Sequence, residues 1–269
     1  MRLTDKSDRS TRRIYHLTAP LPSFKSINAG IPEEYATITY SSIAKAISAV
    51  EQLGPNCISI KHDFLSAFIN VPVSPLDSCL LGFHWNESYY AEQFLPLGLR
   101  TAPYLFNLFP EVFHWIVEKE VTRKGPQIQV IQYLDELLLV LAPTTAPEQC
   151  SQTFKILCEE VGLAIKEAKN EQGSIASFAR MEINTRSIVI SLPEKKVQKP
   201  KSLVHGAIAQ ISATVVELQQ ITGYLSFVST LVPLGRTFLR RLDNMEVYLA
   251  QGGRYQRRRS TSRTKRALA

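Results

Sequence analysis

Two apolar runs that each close on acids constrain this chain more than anything else in it. Ile128 to Val140 reads as strand, turn, strand, with Tyr133-Leu134-Asp135-Glu136 at the bend. Adjacent ionised carboxylates repel and are costly to bury unless a cation is shared between them. Alone, such a pair also fits an exposed hairpin turn. A second run, Cys57 to Phe68, repeats the pattern: an apolar strand carrying Lys61 and His62 ends in Asp63. Two strands that deliver acids to one point make a hard-oxygen site for divalent cations, the kind that serves phosphoryl transfer.

Between them lies Phe94-Leu95-Pro96-Leu97-Gly98-Leu99-Arg100-Thr101-Ala102-Pro103. Gly98 permits a conformation closed to other residues, and Thr101 and Pro103 suit a helix start. Free N–H groups at such a junction can meet a phosphate or a base pair, though plain turn-to-helix junctions look the same. The helix that follows carries Leu105, Phe106, Phe109, Phe113 and Ile116 on one side. Pro110 falls in its interior, where proline costs about 3 kcal/mol or forces a kink. A helix is expected from Ser42 to Gly54, a hairpin around Asn86-Glu87-Ser88, and a helix from Pro147 to Gly162. A strand at Ile188 to Leu192 and a capping box at Thr214-Glu217, before Leu218, Ile221 and Leu225, lead into a helical C-terminal part. Helices and strands alternating about a central hairpin make an α+β domain.

The net charge of +7 is confined to the end of the chain. Residues 251–269 hold seven basic side chains and no acid, so residues 1–250 are formally neutral. That tail reads either as a polybasic arm or nuclear signal, or as a disordered terminus. Residues 1–10 look unstructured too. The four cysteines and five histidines show no metal-ligand spacing, and free thiols in a reducing compartment are expected. No apolar run is long enough for a membrane span, and no signal peptide is legible; an intracellular protein, cytoplasmic or nuclear, is expected.

In order, these segments resemble the palm of a reverse transcriptase. Lys61-His62-Asp63-Phe64-Leu65-Ser66-Ala67-Phe68 is similar to its first acid motif, Leu95 to Pro103 to its template- and nucleotide-contacting motif, and Tyr133 to Glu136 to its Tyr-x-Asp-Asp hairpin. Arg12-Arg13-Ile14-Tyr15 resembles the fingers strand, and Ser26 to Pro32 the loop after it. Leu225 to Leu242 is similar to the segment after the palm in DIRS-type, tyrosine-recombinase retrotransposons, common in fungi. The resemblance covers residues 11–243. It implies a right-hand polymerase fold: an antiparallel sheet with helices packed on one face. Residues 11–56 would be partial fingers and the first palm helix, 57–192 the palm, 193–250 a thumb-like connection and 251–269 a disordered basic tail.

The activity the resemblance implies is RNA-directed DNA synthesis with two Mg²⁺ (or Mn²⁺) ions, on an RNA template with a DNA primer and deoxynucleoside triphosphates, and with no membrane partner. Oligomeric state is left open. Asp63, Asp135, Glu136 and the backbone of Phe64 would hold metal. Lys169 would stand near the leaving pyrophosphate, or be plain surface. Arg12 and Arg13 would clamp the triphosphate, with Phe64, Leu97, Gly98 and Tyr133 also lining the substrate. Phe68 would exclude a 2′-hydroxyl, or be core. Arg100, Arg236, Arg240, Arg241, Arg257, Arg258 and Arg259 would meet nucleic acid.

Several positions depart from the family pattern. Glu136 stands where the family has Asp, and a misplacement of about 1 Å at a reacting centre can cost roughly a hundredfold in rate. Ala179-Arg180 replace a Leu-Gly in the primer-grip hairpin, Thr11 replaces a tryptophan, and Pro110 a helix former. Flanking ribonuclease H and recombinase regions and most of the fingers are missing from the sequence. A truncated, partly degenerate copy is therefore expected. The alternatives are an inactive palm that still binds nucleic acid, or another palm-fold enzyme such as a nucleotide cyclase; the Leu95 to Pro103 segment argues against the latter.

Overall fold

The computed structural model describes residues 2–5, 11–18, 26–38, 43–124, 127–209, 212–232, 235–250 and 258–259. The chain divides into two compact units, Met1–Ala179 with Asn184–Ile188, and Arg180–Ile183 with Val189–Ala269. Between residues 180 and 191 the division alternates: Asn184–Ile188 go with the first unit, and Arg180–Ile183 and the strand from Val189 with the second.

The first unit opens with β1 (Arg2–Asp5) antiparallel to β2 (Thr11–Ile14). Residues 2–5, expected to be unstructured, are therefore paired. Next come α1 (Ile43–Leu53), β3 (Ile58–Asp63), the hairpin β4 (Gly82–Trp85) and β5 (Ser88–Ala91), and α2 (Ala102–Lys124). Then follow β6 (Ile128–Tyr133), β7 (Glu136–Leu141), α3 (Pro147–Glu160), β8 (Glu171–Gly173) and β9 (Ile175–Phe178). One antiparallel sheet runs β6-β7-β3-β8. Its register sets Asp63 opposite Glu136 on β7, and Glu136 opposite Tyr133 on β6.

Burial holds β7 inside this sheet. Leu137, Leu139 and Leu141 point into a core with Phe113, Val117 and Val121 of α2 and Phe154 and Leu157 of α3. Leu138 and Val140, alternating with them, are fully buried as well, so β7 is covered on both faces. Slipping it by one residue would trade every one of these positions. α1 ends at Gly54, whose φ of +81° suits a helix stop, and α3 opens on Pro147 with Glu148 in its first turn.

The burial of α2 is phased differently from its expected apolar side. Phe106, Phe113, Val117 and Val121 are buried, while Leu105 and Phe109 are exposed with Leu108, Val112 and Trp115. Pro110 lies inside the helix, which continues through it. Thr101 does not spend its hydroxyl on the helix start: it donates to the Tyr35 carbonyl at 2.6 Å.

The second unit holds β10 (Met181–Asn184), β11 (Val189–Ser191), α4 (Glu194–Ala209), β12 (Ser212–Ala213), α5 (Val215–Val228), α6 (Gly235–Ala250) and β13 (Arg258–Arg259). Thr214 caps α5 with the expected box: its hydroxyl accepts from Glu217 N, and the Glu217 carboxylate accepts from Thr214 N. Val215 and Leu218 pack with Leu239, Leu242 and Met245 of α6. Of the tail expected to be disordered, only Arg258–Arg259 is described, paired with Ser212–Ala213. Cys57, Cys150 and Cys158 are buried free thiols and Cys79 is an exposed one. Among the described residues, no helix is long and apolar enough to cross a membrane.

Candidate active site

β3 carries Asp63 to the edge of the core. Period-two alternation puts Lys61 and Asp63 on one face and His62 on the other, where its ring stacks on Phe154 at 4.1 Å. The Asp63 side chain is 2% exposed. Its Oδ1 lies 3.4 Å from Lys61 Nζ and its Oδ2 lies 3.1 Å from Lys169 Nζ. Neither oxygen receives a directed hydrogen bond; the two ammonium groups face them instead. A carboxylate so buried with bonding capacity to spare is set up for a cation.

Leu134 and Asp135 form the two-residue turn between β6 and β7. Leu134 has φ +53°, a left-handed conformation that costs a non-glycine residue about 1–2 kcal/mol. The turn is tied to β3 through Phe64 N, which donates to the Asp135 carbonyl at 2.9 Å. Burial raises the Asp135 pKa, and the neighbouring charge of Asp63 raises it further. Glu136 lies beside Asp63 in the register, with Oε1 3.7 Å from Lys61 Nζ and Oε2 accepting from Ala179 N at 2.8 Å. Burial raises its pKa too, against the lowering effect of Lys61 and the Ala179 N–H.

Asp63 thus stands opposite Glu136 in the register, and Asp135 sits next to it in the turn bonded to β3. Yet among the described residues no three side chains of metal-binding type stand close enough to close on one ion. Like charges repel, and the cations within the cluster are Lys61 and Lys169.

Lys169 ends a 3-10 turn, Glu167–Lys169. Partial burial works to lower its pKa, but Asp63, with Asp135 and Glu136 behind it, outweighs that and raises it. The turn is held by a chain of contacts. Lys155 pairs with Glu167 at 3.0 Å, Asn170 Nδ2 donates to Glu167 at 2.6 Å, and Asn170 Oδ1 lies 3.0 Å from His62 Nδ1.

The other expected residues are placed as follows. The Phe64 ring is core, edge-on to Phe113 at 5.7 Å. Phe68 is half-buried, edge-on to Phe106 at 5.7 Å. Tyr133 is half-buried and meets Phe178 edge-on at 6.3 Å. Leu97 accepts from Tyr15 N at 2.8 Å. Gly98 has φ +110°, and a Cβ there would lie 2.0 Å from the Tyr15 carbonyl oxygen. Arg100 is exposed and donates to the Ile31 carbonyl at 3.3 Å.

Arg12 and Arg13 are exposed on β2, and Arg13 pairs with Glu92 at 3.5 Å rather than with the acid cluster. Arg236, Arg240 and Arg241 are exposed on α6 in the second unit. Arg257 lies outside the described residues, and Arg258 and Arg259 are described only as backbone.

Sequence reasoning gave no role to Lys61, although its spacing of two from Asp63 puts both on one face of a strand. It also missed Asn28. That side chain donates to the Gly98 carbonyl at 2.8 Å and accepts from Arg100 N at 2.9 Å, pinning the Leu97 to Arg100 loop. Nothing local in the Ser26 to Pro32 loop announces that reach. The contact of Glu136 with Ala179 carries no sequence signal either.

No curated relative matches the chain significantly. Among solved structures it is similar to the foamy viral protease-reverse transcriptase dRH in complex with double-stranded DNA, with a TM-score of 0.64 and 17% identity over 99% of this chain and 41% of that one. The foamy viral protease-reverse transcriptase in complex with an RNA/DNA hybrid gives 0.63 and 18%, over 99% and 32%. The same protein in complex with double-stranded DNA gives 0.62 and 18%, over 99% and 49%. These likenesses are of fold, and the chain spans less than half the length of each. The sequence model described as reverse transcriptase (RNA-dependent DNA polymerase) matches residues 5–207, most of the chain. With the acids of β3 and of the β6–β7 turn brought side by side in a palm sheet, the chain belongs to the reverse transcriptase family.

Proposed function

We propose that this chain performs template-directed nucleotidyl transfer, extending a DNA primer on an RNA template with deoxynucleoside triphosphates. The observation that carries the reading is the juxtaposition of buried Asp63, its oxygens free of directed hydrogen bonds, with Asp135 on a strained turn bonded to β3. Their hard oxygens fit Mg²⁺ or Mn²⁺, and Asp63 and Asp135 would hold them, with the Phe64 carbonyl as a further ligand. Two such ions, when bound, stabilise both the attacking and the leaving oxygen of phosphoryl transfer. Glu136 fits that donor set poorly, because its Oε2 already accepts a hydrogen bond from Ala179 N.

Lys169 Nζ would face the leaving pyrophosphate and offer it a proton. Gly98 would let the backbone, with Leu97, approach the nucleotide and template, as Asn28 fixes its carbonyl. Phe68 and Tyr133 would flank the sugar and the primer end. Arg12 and Arg13 would clamp the triphosphate once Arg13 leaves Glu92. Arg100, Arg236, Arg240, Arg241 and the tail arginines would meet nucleic acid phosphates. Residues 11–56 would serve as partial fingers, 57–192 as palm and 193–250 as a thumb-like connection. The Leu225 to Leu242 segment supports an origin in a DIRS-type retroelement, and the substrates set an intracellular, cytoplasmic or nuclear, place of action.

Extension of oligo(dT) on poly(rA) with Mg²⁺ or Mn²⁺ tests this. The wild-type chain is expected to extend, and Asp63→Asn and Asp135→Asn to abolish it. The ammonium of Lys61 within the cluster favours a second reading, a nucleic-acid-binding palm that no longer polymerises. Duplex binding without extension would select that one.

A further inference from the structure

We propose that Glu136 is a positioning residue that latches the turn at Ala179-Arg180 onto the β6–β7 hairpin, and is not a metal ligand. The proposal rests on the reading of Asp63 and Asp135 as the metal-holding pair. Glu136 Oε2 accepts a 2.8 Å hydrogen bond from Ala179 N, and Oε1 lies 3.7 Å from Lys61 Nζ. Asp63 contrasts with it, since neither of its oxygens receives a directed hydrogen bond.

The length of the side chain is what makes the latch. Glu136 is fixed at its Cα by pairing with Asp63 on one side and Tyr133 on the other. An aspartate there would end about 1.5 Å, one C–C bond, nearer the backbone. The contact with Ala179 N would then stretch to roughly 4 Å, beyond a hydrogen bond.

The turn needs such support. Ala179 and Arg180 have φ +47° and +69°, left-handed values that favour glycine. Strained residues persist where their surroundings hold them. Ala179 is only 8% exposed, so an N–H left without a partner there would be costly. The carboxylate of Glu136 supplies a charge-assisted partner for it. Tyr133, paired with Glu136, also meets Phe178, the residue before the turn. The longer acid thus holds a turn that has no glycine at either of its two left-handed positions, Ala179 and Arg180.

The test uses the full chain with Glu136→Gln, Glu136→Asp, Ala179→Gly, the double variant Glu136→Asp/Ala179→Gly, and Asp135→Asn. Three readouts are taken: Mn²⁺ affinity by electron paramagnetic resonance, melting temperature without metal, and KM for primer–template against kcat. Asp135→Asn is expected to weaken Mn²⁺ binding roughly ten- to a hundredfold, the range for losing one charged contact. Glu136→Gln keeps the acceptor for Ala179 N and is expected to hold Mn²⁺ affinity within about twofold. Glu136→Asp should lower the melting temperature and raise KM more than it lowers kcat. Ala179→Gly should restore both, because glycine takes the turn conformation unaided. Loss of Mn²⁺ binding in Glu136→Gln equal to that in Asp135→Asn would overturn the proposal. So would failure of Ala179→Gly to rescue Glu136→Asp. The Mn²⁺ and melting readouts need no polymerase activity, so a wild-type chain that does not extend primers would count against the function and leave the latch to be judged on these two.

Discussion

Asp135 holds its proton more tightly than a free aspartate, because burial disfavours its charged form and Asp63 stands beside it. Glu136 shifts the same way, again through burial first. A carboxyl whose pKa is raised in the fold binds the proton better there than in the unfolded chain. Its contribution to stability is full below the ordinary carboxylate value and is lost as pH rises through the raised one. The metal-free melting temperature should therefore carry a component that is full below about 4, the usual aspartate range, and falls as pH climbs above it. Asp135→Asn should remove part of that slope; parallel pH curves for the two proteins would contradict the placement of Asp135. Gly98 gives a second prediction. Ala there meets both a clash with the Tyr15 carbonyl and an unfavourable φ, so Gly98→Ala should cost about 2–4 kcal/mol in urea denaturation. Asp63, Asp135, Glu136 and Gly98 were legible because acids or glycine between apolar runs are locally improbable. Lys169 was named only through the family resemblance and Asn28 was missed, since a polar residue in a loop shows its partner only once the chain has folded back over many residues.

Elements were legible where capping and alternation agree. β3, β6 and β7 have period-two or continuous apolar patterns bounded by turn residues, and α5 has its capping box. Thr214→Ala should lower the stability of the second unit by about 1 kcal/mol, the usual worth of such a cap, read by denaturation with a probe on α5. α2 was harder: it is apolar nearly all round, so the sequence shows a helix without showing which stripe faces the sheet. Only the packing of Phe106, Phe113, Val117 and Val121 against β6 and β7 decides that, leaving Leu105, Phe109 and Trp115 outside. The same packing holds the helix through Pro110, which leaves the Phe106 carbonyl without its helical donor. Pro110→Ala restores that donor at the cost of some buried volume, and should raise stability by about 1–2 kcal/mol in denaturant titration. A loss instead would mean that the ring fills space that the core needs.

Across the whole molecule, charge is divided from chemistry. The formal excess lies in residues 251–269, while residues 1–250 hold 24 basic and 24 acidic groups. Each basic residue that neutralises a phosphate adds about −0.7 to −0.9 to the slope of log affinity against log salt. Deleting the tail should flatten that slope by several units in filter binding of a primer–template duplex; an unchanged slope would assign the attraction to a basic groove in the body. The central claim, that Asp63 and Asp135 assemble a template-directed polymerase site, is tested most directly by single-nucleotide incorporation opposite each RNA template base. The wild-type chain should add only the complementary deoxynucleotide in the presence of Mg²⁺ or Mn²⁺, and Asp63→Asn should add none. Incorporation that ignores the template base, or that survives Asp63→Asn undiminished, would contradict the account.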